Sequence, residues 1–480
     1  MVAIVTVDPP VPLGPEIEAP ARPLRSDGRP DLELPQRYDS DLLTPFPDHP
    51  VPAGARATTV PSRYYPQMPL SERNRRWQRL RTKMILEGVD ALVFLGNDTY
   101  WDMGNANIRY VFGTAAKMGT VGLFLLDQEP VIYNAVPHMS QPFHPQASLQ
   151  EWVNDIRIYR GPREVAGEII DRGLATGRIG LVTFSSTIQP RTLLKTDYDA
   201  YTALLPNVEF VSFDAHLQEL RVVKSEAEID FMRQAGRIAR SVLDSLVEGA
   251  VAGRSEAAVF ADMVRTSIAS GGEPNIFQLF TSGPVEHPDD EIWHMLHGAD
   301  QPMSPTMRPL DDGDLVVVEW HTKYGGYMVH TEYTVHVGQK VPPALDRLFK
   351  VAVECLDASR EALRPGVTMR EAWEAIRRPA ERAGVSWVEL GWHAMGLASP
   401  EFPTVVYQPG YGSRSLNGHG IGDLVLEEGM TFGNNIDLYD QRWKSDVGIM
   451  YADFMVVRPG GAELLVNTPR ELGIGGRPTR

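Results

Sequence analysis

The sequence predicts an α/β protein of two domains, a small N-terminal one and a larger one built from two similar halves. Three observations carry this. The chain has 480 residues and is 43% apolar, more than one ordinary core accommodates. Short apolar strands alternate with helical patterns between about Ser71 and Phe213. Finally, VAGRSEAAVFADMV (251–264) is echoed by RPGVTMREAWEAIR (364–377), an offset of about 113 residues. That is too long for a solenoid repeat, but it suits one domain whose two halves meet at a site.

Residues 1–65 are expected to form an extended arm. Thirteen of the 38 prolines fall within the first 61 residues and forbid long helices there. The small α/β domain is expected over 66–218. Trp77, Leu80, Met84 and Leu86 give its first helix an apolar stripe, and Gly88 stops it. Strands follow at Val89–Leu95, Val121–Leu126, Val131–Tyr133, Ile179–Val182 and Val208–Phe213, with helices around Glu164–Arg172 and Asp197–Leu205. The larger domain spans 219–470. It opens with the capping pair Ser225 and Glu228, and Ile229, Met232, Ile238, Val242 and Leu246 continue as one helical face. Residues 471–480, including Gly473–Gly476, read as a tail.

Composition excludes several classes of function. Sixty-two acidic residues against 46 basic ones leave a net charge of −16, with no basic stripe for nucleic acid. The single cysteine, Cys355, excludes an internal disulfide and a cysteine-based metal centre. No stretch approaches the roughly 18 apolar residues of a membrane span, and the N-terminus lacks the pattern of a secretory signal. No G-x-S-x-G elbow is present.

Chemistry concentrates in DGDLVVVEWHTKYGGYMVHTEYTVHVG (312–338). Leu315–Glu319 and Tyr327–Val337 read as strands joined by a turn at Lys323–Gly326. Residues two apart on a strand share a face. Glu319 and His321 therefore lie together, as do His330, Glu332 and Thr334. Paired, these faces converge two imidazoles and two carboxylates on one patch, and buried charges need partners, a ligand or a metal. His419 in NGHGIGD (417–423) stands between glycines that leave its ring unshielded. TSGPVEHPDDEIWHMLHG (281–298) supplies His287, His294 and His297, of which His297 is preferred. Independently of any family, Glu319, His330 and His419 have the composition of a mononuclear iron, manganese or zinc site, with His321 and Glu332 as further ligands or supports. Trp320 and Tyr327 either wall this pocket or belong to the core.

These residues resemble the pita-bread family of creatinase, prolidase, aminopeptidase P and methionine aminopeptidase. The resemblance spans about Ser71 to Leu465 through NIRYVFG (107–113), RVVKSEAEIDFMRQA (221–235), GGYMVHTEYT (325–334), NGHGIG, EEGMTF (427–432) and YADFMVVRPGGAELL (451–465). It implies a small α/β domain followed by a pseudo-two-fold pita-bread catalytic domain. In the family's peptidases two Asp, one His and two Glu bind two metal ions. The matching positions here are Glu319, His330, His419, Asn435 and Ala452, and the place of a second family histidine is Leu426. Such a set does not support a dinuclear water-activating centre. Creatinase works without metal: Glu332 matches its guanidinium-contacting glutamate, His297 its proton-carrying histidine and Asn435 its later glutamate. The family also holds an iron-bearing lyase.

The resulting expectation is a creatinase-like enzyme that hydrolyses a C–N bond in a small polar or cationic metabolite, and is not a dinuclear-metal aminopeptidase. A mononuclear-metal lyase working by β-elimination, a non-catalytic binding protein and an Xaa-Pro peptidase are the alternatives. His297, His330, Glu332 and His419 are the expected catalytic residues, and Glu319, His321, Tyr327 and Asn435 the expected substrate contacts. Any cofactor is one divalent ion (Fe, Mn or Zn) on Glu319, His330 and His419. The resemblance further implies a homodimer, and the sequence a cytoplasmic protein without nucleic-acid or membrane partners.

Overall fold

In a computed structural model, the structure describes residues 66–96, 103–114, 120–134, 151–183, 195–274, 278–285, 305–399, 401–406, 421–444 and 447–478. The N-terminal domain is a mixed six-stranded sheet flanked by helices. Its elements are α1 (Leu70–Glu87), β1 (Ala91–Leu95), α2 (Met103–Phe112), β2 (Val121–Leu125), β3 (Val131–Asn134), β4 (Asp155–Ile158), α3 (Pro162–Asp171), β5 (Arg178–Val182), α4 (Lys195–Leu204), β6 (Glu209–Ser212) and α5 (Asp214–Val222). The strands lie in the order β4-β3-β2-β1-β5-β6. Gly88 ends α1 in the left-handed conformation, φ 63°, as a helix-stopping glycine does. Helix α5 runs across position 218, and Val223–Ser225 separates it from the next helix.

The larger domain repeats one unit twice. Helices α6 (Glu226–Gly249) and α7 (Glu256–Ala269) precede β7 (Gln278–Pro284), β8 (Asp314–Tyr324) and β9 (Tyr327–His336). Helices α8 (Pro343–Ala362) and α9 (Met369–Ala383) precede β10 (Ser386–Ala394), β11 (Glu401–Val406), β12 (Thr431–Tyr439), β13 (Gly448–Met450) and β14 (Phe454–Val456), with the short strands β15 (Glu463–Leu464) and β16 (Gly473–Ile474) closing the chain. The sequence echo is visible in matched N-caps 113 residues apart: Ser255 accepts from the Ala258 amide, and Thr368 from the Glu371 amide. Ser225 and Glu228 close the expected capping box on α6.

One sheet runs β16-β9-β8-β7 and the other β11-β10-β12-β14-β15, with β13 against β12. Hairpin β8–β9 turns through Gly325 and Gly326, φ 57° and 85°, the pair of positive φ values a two-residue turn needs. It is buried on both faces, since α6 packs on one and β12 and β13 on the other. The expected tail is part of the body. Gly473–Ile474 pairs in parallel with Val335–His336, and the Gly475 and Gly476 amides donate to His336 O and Val247 O. A side chain at Gly475 would meet Ala250 O at 1.8 Å, so a glycine is needed there. No helix among the described residues is long and apolar enough to cross a membrane.

Candidate functional site

Pairing on the hairpin sets the site. Glu319 stands directly opposite Glu332, and His321 opposite His330. Two carboxylates facing each other across strands repel, so this register needs compensation. His321 Nε2 lies 3.0 Å from Glu319 Oε1, and His330 Nε2 lies 3.3 Å from the same oxygen and 3.5 Å from Glu332 Oε1. The second sheet adds β10 and β12, where His393 pairs with Gly433 and Gly391 with Asn435. The period of two on β12 puts Gly433, Asn435 and Asp437 on one face. Asn435 Nδ2 donates to Glu332 Oε1 at 2.6 Å.

Glu319, His330 and His393 each offer a ligand atom within 4.8 Å of the others. The His330 and His393 rings are 4.8 Å apart, and His321 lies 5.3 Å from His330. All of these side chains are buried, and Glu319, the most exposed of the three, is 7% accessible. Burial pushes the His393 imidazole well below its ordinary range, and the neighbouring His330 adds to this, so the ring is neutral at pH 7 with a lone pair to give. Burial alone would raise the Glu319 carboxyl, yet His321 and His330 hold it below the usual carboxylate range. Nδ1 of His330 and of His393 are buried with no hydrogen-bond partner among the described residues. Two imidazoles and an ionised carboxylate are the donor set of one divalent transition ion. A single ion therefore fits.

Glu332 and Asp437 extend the acidic wall. Burial raises both carboxyls well above their ordinary values; Glu319 and Glu389 add to this at Glu332, and Glu332 and Glu389 at Asp437. Among the described residues the ion-pair partners of Glu319 and Glu332 are histidines, not lysines or arginines.

Several expected site residues fall elsewhere. Tyr327 is on the opposite face of β9, where its hydroxyl donates to Glu228 Oε1 at 2.9 Å and accepts from Arg76 Nη2 at 2.7 Å. It belongs to the junction with α1 and not to the substrate face, because strand alternation separates 327 from 330 and 332. Trp320 likewise points away, 5.6 Å from the Phe260 ring of α7. His287, His294, His297 and His419 lie outside the described residues. Glu319, His321, His330, Glu332 and Asn435 are brought together. His393 and Asp437 were missed by sequence reasoning. Asp437 could have been found two residues after Asn435 by strand alternation, whereas His393 in GWHAMG lacks the glycine on each side that marked His419. The Ala452 carbonyl accepts from Thr331 and Thr468, and its amide donates to Glu332 O at 3.1 Å.

With fold and site in view, two family descriptions match the chain. A creatinase/prolidase N-terminal domain covers residues 76–223, and metallopeptidase family M24 covers 230–459. The chain belongs to the creatinase/prolidase/aminopeptidase P family, with a creatinase-type N-terminal domain and a pita-bread second domain. It is similar to a probable dipeptidase PepE of Mycobacterium tuberculosis, 32% identical over 53% of this chain and 61% of the relative. The match thus spans about 61% of that relative's length. An ectoine hydrolase of Halomonas elongata is 22% identical over 82% of this chain and 95% of the relative. The solved Xaa-Pro dipeptidase of Bacillus anthracis superposes with a TM-score of 0.65 at 20% identity, covering 84% of this chain and 99% of its own. At that identity the superposition speaks to the fold.

Proposed function

We propose that this chain is a hydrolase that cleaves a C–N bond in a small polar or cationic metabolite, using one divalent ion held by Glu319, His330 and His393. The observation that carries the reading is a buried patch in which carboxylates and imidazoles converge with, among the described residues, no lysine or arginine in ion-pair contact with its carboxylates. Such a patch is relieved by a bound cation, by protonation of its carboxyls, or by both. A bound ion would act as a Lewis acid and lower the pKa of its water. Glu319 supplies the charge that complements the ion, and His321 orients Glu319 through its 3.0 Å contact. Glu332, which accepts from Asn435, and Asp437 are carboxyls whose burial favours the protonated form, and they form a polar wall that hydrogen-bonds the substrate beside the ion. Burial excludes competing water and strengthens each of these interactions.

The positions matching the family's two later glutamates are Asn435 and Ala452, which argues against a second ion and against ordinary aminopeptidase chemistry. The match to an ectoine hydrolase over most of both chains is in keeping with a small-molecule substrate.

The test is metal analysis by mass spectrometry on protein purified without a histidine tag or added metal. The expected result is about one iron, manganese or zinc per chain, lost in His393→Ala and in Glu319→Gln. A folded wild-type protein that holds no transition metal, even after incubation with each ion, would refute the single-ion reading.

A further inference from the structure

Strand β10 carries His393, and its pairing with β11 is irregular at that residue. Trp392 pairs with Val406, whereas Ala394 pairs with Glu401, so two steps on β10 face five on β11. Irregularities of this kind re-aim a side chain and occur beside active sites. Glu401 closes this one. It is 4% exposed, and its Oε1 accepts from the amides of Leu397 and Ala398 at 2.9 and 3.2 Å. The same loop is tied to the hairpin, because Met328 N donates to Gly396 O at 2.8 Å.

The carboxylate is held from its other side by cations of the domain junction. Lys224 Nζ is 3.0 Å from Oε2, and Arg221 Nη2 is 3.3 Å from Oε1. Arg221 in turn donates to Asn107 Oδ1 on α2, and Asn107 Nδ2 donates to Thr183 O at 2.9 Å, both in the N-terminal domain. Contacts therefore run without a break from that domain to the turn that follows His393.

We propose that Glu401 is a positioning residue for His393, and that through Arg221 and Glu401 the N-terminal domain sets the geometry of the ligand face. The inference rests on the single-ion reading of the site. A group that orients a metal ligand from behind typically changes metal affinity 10- to 100-fold when removed, and Glu401 acts on the backbone that aims the ring.

The experiment is a cobalt(II) titration of the full chain followed by visible absorption, with circular dichroism as a check on the fold. Glu401→Gln is expected to weaken cobalt binding about 10- to 100-fold and to alter the ligand-field bands. Asn107→Ala is expected to move both in the same direction by less. A control is Glu256→Gln, which disturbs a similarly buried carboxylate at the start of α7 that accepts from Ser282 and Thr306. It should lose stability and keep wild-type cobalt affinity. If Glu401→Gln does not fold, Gly396→Ala replaces it, since the added methyl would meet Glu401 Oε2 at 2.8 Å and Lys224 Cε at 2.9 Å with the charge retained. Wild-type affinity and bands in Glu401→Gln would overturn the inference, as would equal weakening in the Glu256 control. Failure of the wild type to bind cobalt would instead sink the single-ion reading. The His393 ring resonances in ¹H–¹⁵N spectra then decide the role of Glu401: a shift in Glu401→Gln upholds it, and an unchanged position overturns it.

Discussion

At Gly433 a missing side chain makes room for His330. A Cβ there would lie 2.7 Å from His330 Nδ1 and 3.2 Å from its Cβ and Cγ. His330 is fully buried and has nowhere to move. Gly433→Ala should therefore cost about 1–3 kcal/mol by overpacking and abolish metal retention, seen as a lower urea midpoint and loss of bound metal. Glu332 should behave in the opposite way. It faces Glu319 across the hairpin, and it also meets His330, the Asn435 amide and the carboxyl of Asp437. Glu332→Gln keeps an acceptor for Asn435 and removes one of two opposed carboxyls. In the presence of EDTA the variant should match or exceed wild-type stability, by up to about 2 kcal/mol in urea unfolding. Destabilisation of that size would mean that Glu332 holds the fold rather than a ligand.

The hairpin β8–β9 converts those residues into a site, and its turn fixes the register. A slip of one residue would send Glu319, His321, His330 and Glu332 to the other face. The turn is gripped from outside: Gly326 N donates to Glu273 Oε1 at 2.7 Å, and a Cβ on Gly326 would lie 2.4 Å from Arg109 Nη1. At φ 85° an L-residue is also strained. Gly326→Ala should lower the urea midpoint by an amount equivalent to about 1–3 kcal/mol and reduce bound metal, whereas a tolerant turn would leave both unchanged. This element was the most legible part of the sequence. VVVEWHT and YMVHTEYTV alternate with period two around a Gly-Gly turn, and their pairing followed from that pattern. Strand β10 was not legible. SWVELGWHA mixes exposed and buried positions without a clean period, and its register to β11 depends on Glu401, which lies eight residues after His393 in sequence. Asn435 and Asp437 lay on a readable strand, but only the resemblance drew attention to the first. The last residues looked like a tail because glycines are ambiguous between freedom and close packing, and only Ala250 and His336 reveal which applies.

At the scale of the molecule the two domains are joined by buried charge. Arg76 of α1 is 1% exposed and reaches Glu72 at 2.7 Å, Glu228 at 3.4 Å and the Tyr327 hydroxyl at 2.7 Å. Removing one member of such a network leaves the others buried and under-compensated. Arg76→Met should cost about 3–5 kcal/mol and separate the unfolding of the two domains, visible as a second calorimetric transition. The second junction cluster, at Glu401, makes stability depend on pH. Burial alone would raise the Glu401 carboxyl, but Arg221, Lys224 and the Ala398 amide hold it below its ordinary value. A carboxyl lowered in the folded state binds fewer protons there than in the unfolded chain. Its contribution is therefore complete above the unfolded carboxyl range and is lost as pH falls through the folded value. Glu401→Gln, which carries no titrating group, lacks this contribution at every pH. In urea titrations the stability gap between wild type and variant should be widest near about pH 7 and shrink once pH falls below about 4, because protonation then makes Glu401 resemble the amide. A gap that stays constant over that range would mean that Glu401 works by shape and hydrogen bonding alone, with Arg221 and Lys224 lending it no charge.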